Sequence, residues 1–556
     1  MRIELSTDIS SPTTASIDRA KFAVAGFEMS DRRIVIAILI ITFICGFCLR
    51  VANLGVESLG EDELNKLQTV TEYRENGLSG RNGEHPFLMK GLQTLSVTAS
   101  ETWNKAFPQQ SISTEAALRF PTVLFGSLLI ILLYLLVNQL FGSFPALVTA
   151  VLYAVTPSAI AFDRIAKEDT FLLFFFVLAN VFWMREQTLA QTSASESTKY
   201  FWLAAAAFGG MMSSKYLPHM IGITAGYYGV FLDIPSNKWS VGKVRWLMFF
   251  VVIGVTFVAL NPTILLPQTW HEMLTFLTEK RIGHDAYEFV GQLYPNKMTK
   301  WLNGVPWTFY FVFILVKIPL VTLILLLIGL PAFFRSKLGD GRYFIGLWAM
   351  FWFVPFALLG GKFTRYFTVG QPIVLIVAAI GFCFLVNLFI KSKRRELFAA
   401  AATIFLLIYG VAIASQASPH FRLFTNVIGG ENIYFPHDEF YDLSTREAAA
   451  ALADFAPSGA RVANETPYLV GYYAEKAGRG DLKMISLSDK NEVADLAVGD
   501  IVLVAEGRRY FSNDEIVAYL KSTQATAVTS VNGIISTRIY QLDAMQIEQL
   551  KELSKH

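Results

Sequence analysis

Residues 163–185 read DRIAKEDTFLLFFFVLANVFWMR, a cluster of charges that runs straight into an apolar, Phe-rich segment. Crossing a hydrocarbon core about 30 Å thick takes about 20 mostly apolar residues in a helix, and the segment from 169 to 185 meets that need. Asp169 stands at its lip, where an ionised side chain is costly unless paired, solvated or bound to metal; such a residue is a candidate for function. An acid at the positive end of a helix dipole accounts for it equally well. Working outward, similar apolar runs recur near 34–52, 119–140, 144–162, 200–213, 216–232, 246–266, 305–334, 343–360, 367–390 and 398–416, so about eleven spans are expected. Composition agrees: of 556 residues 53% are hydrophobic, 46 are Phe and only 17% are charged, against roughly 25% in soluble domains. Soluble, fibrous and disordered classes are excluded, leaving a polytopic α-helical membrane protein. A net charge of +2 supplies no bulk field for nucleic acid, so electrostatic function must lie in local placement.

Lys and Arg accumulate on cytoplasmic flanks of membrane helices. Residues 1–33 form a polar tail ending in Arg32-Arg33, which places the N-terminus inside. Alternation then puts three basic groups inside: Lys238, Lys243 and Arg245; Arg335, Lys337 and Arg342; and Lys391, Lys393, Arg394 and Arg395. Outside lie a long first loop from 53 to 118, connections at 163–168 and 214–215, a loop from 267 to 304, another at 361–366, and everything after 417. The transmembrane domain is therefore 34–416. Beyond it, strand-length runs such as Ile501–Val504 and Ala527–Val531 alternate with helical patterns at 446–455 and 514–521, the pattern of a small extracytoplasmic α/β domain over 417–556. Cys45, Cys48 and Cys383 all fall in apolar runs and form no disulfide framework.

The first outer loop carries Gly60-Glu61-Asp62-Glu63-Leu64-Asn65-Lys66 and Gly83-Glu84-His85-Pro86-Phe87-Leu88-Met89-Lys90. Ser58 with Glu61 three residues on reads as a capping box. Asp62, held just above the membrane, can also serve as a general base or metal ligand. Arg164, Lys167, Lys215, Lys362 and Arg365 occupy short outer connections that the charge bias leaves poor in cations. Snorkelling explains any one of them, but five together suit a phosphate-bearing ligand. The 267–304 loop adds His271, Arg281, His284, Asp285, Tyr287 and Tyr294 beside Trp270 and Trp301, as in an amphipathic segment on the membrane surface. Asn464-Glu465-Thr466 matches a glycosylation acceptor.

Five of these motifs fall in one order on one side of the membrane: Asp62-Glu63; Glu84-His85-Pro86 with Lys90; Arg164 to Asp169; Ser214-Lys215; and Lys362-Phe363-Thr364-Arg365-Tyr366. In this the chain resembles the C-type glycosyltransferases of the protein O-mannosyltransferase group, with the related bacterial enzymes that transfer aminoarabinose to lipid A. The resemblance covers about residues 34–416, and Ser418–His420 through Phe435–Asp442 looks like the linker of bacterial members. Phe87 departs from it, standing where members usually have a second proline. The resemblance implies a polyprenyl-phosphate-linked sugar donor, inverting displacement and a hydroxyl or phosphate acceptor on a protein, glycolipid or envelope polymer. Asp62 would be the base with Glu63 in support, and Lys90, Arg164, Lys215, Lys362, Arg365 and Tyr366 would meet the donor phosphate. Asp169 would position the donor or, with Glu84 and His85, hold a divalent metal, the one cofactor implied. Bacterial inner membrane is the implied location.

A secondary transporter is the competing class, but its sites lie near the bilayer midplane on repeat-related broken helices. Here the charges gather at one face and no repeat is evident. The outer domain, on the same side, is a candidate selector of the acceptor.

Overall fold

Asp31 accepts the backbone N–H of Arg33 at 2.9 Å and so starts the first apolar helix, α1 (Arg32–Val51). The computed structural model describes Met29 and residues 31–190, 194–231, 242–278, 285–298, 300–335, 338–389 and 395–554. Most of the expected cytoplasmic tail, and Lys238, Arg281, His284, Lys337, Lys391, Lys393 and Arg394, lie outside the described residues.

After α1 come α2 (Glu61–Asn76) and α3 (Phe87–Ala106), then α4 (Thr114–Phe141), α5 (Ser143–Val155), α6 (Pro157–Asp163), α7 (Asp169–Leu189) and α8 (Ala194–Ser214). Among the described residues seven helices are long and apolar enough to cross a membrane: α1, α4, α7, Lys243–Leu260, Gly341–Leu358, Gln371–Phe389 and Glu396–Ala417. The bent pair α5–α6 makes an eighth if its two parts form one span. The chain is an integral membrane protein, and seven or eight of the eleven expected spans pass by length and composition among the described residues. Helix α8 has the length and is more polar. The 216–232 run falls into short turns, Pro218–Met220, Ile221–Gly226 and Tyr227–Phe231. The 305–334 run divides into Phe309–Lys317 and Leu320–Phe333 at Pro319, which lacks the N–H an unbroken helix needs.

Helix ends sort to two sides. The Asp31 N–H donates to Glu396 at 3.3 Å and the Ser143 hydroxyl to the Met29 carbonyl at 3.3 Å, so the starts of α1, α5 and the 395–417 helix share one side. The opposite ends converge on the 164–168 connection. A buried ion pair fixes that connection: Arg50, in the last turn of α1, donates to Asp163 at 2.9 Å, and Tyr153 and Thr170 hydroxyls donate to the same carboxylate. Deeper in the bundle, helices Leu320–Phe333 and Gln371–Phe389 meet backbone to backbone. A Cβ at Gly329 would lie 1.9 Å from the Val377 carbonyl, and one at Gly381 2.0 Å from that of Leu325, so only glycine permits the approach. The three described cysteines are free thiols.

On the side of the 164–168 connection sit α2, α3, a hairpin β1 (Ala286–Phe289)–β2 (Gln292–Pro295), and the C-terminal domain. That domain is a five-stranded sheet of β3 (Arg461–Asn464), β4 (Lys483–Ser486), β5 (Ile501–Ala505), β6 (Ala527–Val531) and β7 (Ile534–Gln541) in the order β4-β3-β5-β7-β6. β3 runs parallel to β4 and β5, and β7 antiparallel to β5 and β6. Alternation along β5 builds two cores. Ile501 and Leu503 pack with Leu452 and Val470 on one face, and Val502 and Val504 with Leu520 and Leu550 on the other. The Asn464-Glu465-Thr466 match is internal to this domain: the Asn464 side chain is buried, donates to the Val462 carbonyl and accepts the Thr466 N–H.

Candidate functional site

Helix α2 begins at Gly60, and the expected Ser58–Glu61 capping box does not form. Glu63 instead accepts the Gly60 N–H at 2.9 Å, while the Ser58 hydroxyl reaches the Leu443 carbonyl at 3.1 Å. Glu63 is fully buried, paired with Arg119 of α4 at 2.6 Å, and also accepts the Ala166 N–H at 2.9 Å. All its partners are structural, so it pins α2 to α4 and to the 164–168 connection rather than facing open space.

The next-door Asp62 is left partly exposed. Its carboxylate contacts the Lys167 ammonium, lies 3.5 Å from the Arg365 guanidinium, and accepts the Tyr441 hydroxyl at 3.4 Å, with 37% of its side chain exposed. Burial works to raise its pKa, but Lys167, Arg365 and Lys66 outweigh burial and hold the carboxyl well below the usual range. Lys167 is pushed down to about 8 by burial, with Arg365 and Lys66 adding to the shift against the pull of Asp62.

One turn along α2 from Asp62, Lys66 pairs with Glu168 at 3.0 Å, and His85 Nδ1 lies 3.4 Å from the same carboxylate. Burial holds His85 well below its ordinary pKa, and Lys66 and Lys167 add to that, so its ring is neutral near pH 7. Lys215 meets Asp169 at 2.6 Å and rests 4.9 Å above the Tyr366 ring. Arg365 lies over Phe363 and Tyr366 at 4.5 and 5.5 Å. Beneath this loop Asp438, from the linker, accepts the Thr364 N–H at 2.8 Å and the Tyr287 hydroxyl at 2.5 Å. Lys66, Lys167, Lys215 and Arg365 thus face Asp62, Glu168 and Asp169, an excess of one positive charge in a cluster most exposed at Asp62.

Three expected phosphate ligands are turned elsewhere. Arg164 donates to the carbonyls of Leu49, Arg50, Ala52 and Asn53, satisfying the C-terminal end of α1. Burial lowers its pKa to about 10. Lys362 is buried and donates to the carbonyls of Val305 and Leu359. Lys90 is buried too, donating to the Asn82 carbonyl at 2.7 Å, and burial draws it down to about 7. Each helix end or loop offered unsatisfied carbonyls, and a nearby cation took them.

The expected metal set does not assemble. Asp169 is held by Lys215, Glu84 by the Asn82 amide at 2.6 Å, and His85 faces Glu168. Among the described residues no three His, Cys, Asp or Glu side chains come together as a metal would require. Of the 267–304 residues, Asp285 accepts the Ser512 N–H of the C-terminal domain at 2.9 Å. Sequence reasoning passed over Lys66, Glu168 and Tyr441. The first carried a signal, because Asp62 and Lys66 are four apart on one helix and share a face.

Residues 110–264 match the model of the dolichyl-phosphate-mannose-protein mannosyltransferase family. The match takes in Lys167, Glu168, Asp169 and Lys215 and leaves Asp62 outside. No curated protein sequence matches the chain. Among solved structures the fold is similar to apo ArnT from Cupriavidus metallidurans, at 13% identity, covering 91% of this chain and 97% of that one, with a TM-score of 0.50. ArnT from the same organism bound to undecaprenyl phosphate gives 12% identity, 93% and 99% coverage and 0.48. The apo oligosaccharyltransferase of Archaeoglobus fulgidus gives 13%, 85% and 70%, and 0.49. The resemblance is thus found again by family match over two of the five motifs, Arg164 to Asp169 and Ser214-Lys215, and by fold: the chain is similar to membrane glycosyltransferases of the C-type superfamily.

Proposed function

We propose that the protein is a membrane glycosyltransferase that moves a sugar from a polyprenyl-phosphate donor to an acceptor hydroxyl by inverting displacement. The observation that carries it is the pairing of a cleft carboxylate, Asp62, with two cations, Lys167 and Arg365, beside a third, Lys215. The family match supports the donor class, since dolichyl phosphate is a polyprenyl phosphate.

The acceptor oxygen attacks the anomeric carbon as the bond from that carbon to the phosphate oxygen breaks. The acceptor proton passes to the Asp62 carboxylate, and the bonding pair leaves with polyprenyl phosphate. A phosphate is a workable leaving group where preorganised cations meet its growing charge. Lys167, Arg365 and Lys215 fill that role in place of Arg164, Lys362 and Lys90, with Tyr366 as the ring on which Lys215 and Arg365 rest. Binding the donor phosphate draws Lys167 and Arg365 toward it and away from Asp62. The carboxylate then loses the charges that depress its pKa and becomes a stronger base. Glu63 keeps α2 in register, and Asp169 positions Lys215. No step is assigned to a metal.

The cleft faces the extracytoplasmic side of a bacterial inner membrane, with the N-terminus inside. The acceptor is a protein, a glycolipid or an envelope polymer. The test is transfer of radiolabelled sugar from a panel of polyprenyl-phosphate sugars to endogenous membrane acceptors. Asp62→Asn should lower transfer by about 10²- to 10⁴-fold; loss of less than about threefold removes Asp62 as the base.

A further inference from the structure

Among the described residues of the C-terminal region Tyr441 is the one whose hydroxyl reaches Asp62, and its backbone is unusual. It has φ +35°, and Asp442 after it has φ +60°. Two consecutive non-glycine residues in the left-handed region are disfavoured, and such a conformation persists only where the surroundings impose it. The surroundings are specific. Arg508, from the loop after β5, donates through Nε and Nη2 to the two Asp442 carboxylate oxygens. Asp442 also accepts the Glu61 N–H at 3.2 Å, and Arg508 lies 3.4 Å from the Glu61 carboxylate. The Tyr441 ring lies over Gly60, where a Cβ would fall 2.4 Å from Cε1, and the Arg422 guanidinium sits 5.0 Å above it. Arg422 is itself paired with Glu57, three residues before Gly60. The residue after the tyrosine is therefore tied to the first turn of α2, and the ring itself is held between Gly60 and an arginine anchored to the loop just before that helix.

We propose that Tyr441 is a positioning residue for the catalytic base. The C-terminal domain, through the Arg508–Asp442–Glu61 clasp, presses this side chain onto the start of α2 so that its hydroxyl orients the Asp62 carboxylate. The domain thereby completes the active site in addition to any part in choosing the acceptor. This rests on Asp62 being the base, as argued above. A hydroxyl donating to the ionised form of a carboxyl favours that form, so its removal raises the carboxyl's pKa.

The test reads Asp62 directly and needs no known substrate. The full-length protein in detergent is treated across a pH series with a water-soluble carbodiimide and an amine, a reaction that requires the protonated carboxyl, and labelling of Asp62 is followed by mass spectrometry. Tyr441→Phe keeps the ring and should move the labelling midpoint up by at least about half a pH unit. Arg508→Ala should move it in the same direction, and the double variant no further than the larger single shift, because both act through one contact. An unchanged midpoint in Tyr441→Phe overturns the proposal, and additive shifts overturn the clasp. In the transfer assay Tyr441→Phe should lower kcat about tenfold with donor KM unchanged. Asp62→Asn with near-normal transfer sinks the assignment of the base; Asp62→Asn inactive beside Tyr441→Phe at full kcat sinks only the role given to the tyrosine.

Discussion

In the proposed reaction Lys167 has two opposed tasks: it neutralises Asp62 in the free protein and would become a phosphate ligand when donor arrives. Lys167→Gln is therefore expected to raise the donor KM by about tenfold or more and to shift the acidic limb of kcat/KM upward, because Asp62 loses its closest cation. The alkaline limb follows from the same group. Lys167 is cationic below its pKa of about 8 and loses its proton above it, so kcat/KM should fall as pH rises through that region. With phosphate bound the ammonium is favoured, and the limb in kcat should lie at higher pH; steady-state kinetics across pH 6 to 10 read both. The sequence named Lys167 among five outer cations but could not rank them. Whether a cation meets a ligand or a carbonyl is decided by the helix end beside it. The α1 terminus claims Arg164 and the Leu359 carbonyl claims Lys362, neither of which is visible in residue order.

At the scale of elements, most long apolar helices were legible because about 20 apolar residues have few other uses. The elements that departed from expectation did so where proline or added polarity intervened, as at Pro319 and in α8. Two contacts between elements carry predictions. Arg50→Leu or Asp163→Leu alone leaves a buried charge without its partner and should cost about 3–5 kcal/mol; the double change should restore much of the loss, measured as thermal unfolding in detergent. Gly381→Val places side-chain atoms where the Leu325 carbonyl stands and should destabilise by about 1–3 kcal/mol, with donor binding lost only in proportion to the folded fraction. Neither contact was foreseen, since close approach of two helices leaves no periodic mark in either one alone.

For the whole molecule, strands and helices of the C-terminal region could be read from alternation and run length, but its docking could not. Glu57 pairs with Arg422, Ser58 with Leu443, Leu59 with Tyr473 and Glu61 with Arg508. Four of the five residues from Glu57 to Glu61 are thus held by groups more than 350 positions later in the chain. Deleting residues 440–556 is expected to abolish sugar transfer to every acceptor, rather than to change which acceptor is used; retained turnover with altered choice would confine the domain to selection. Tight non-local pairing of this kind follows from three-dimensional assembly and is absent from local pattern.

The Arg50–Asp163 pair has a consequence for how the chain is made. The two residues lie 113 positions apart, so during synthesis the first span enters the bilayer with its arginine unmatched and must wait at the interface until the sixth helix emerges. The loop that carries Asp62 waits longer still, for Arg422 and then Arg508. A nascent chain that stops before that point lacks the partners that hold this loop, so the proposed activity is expected only of a chain carried through Arg508.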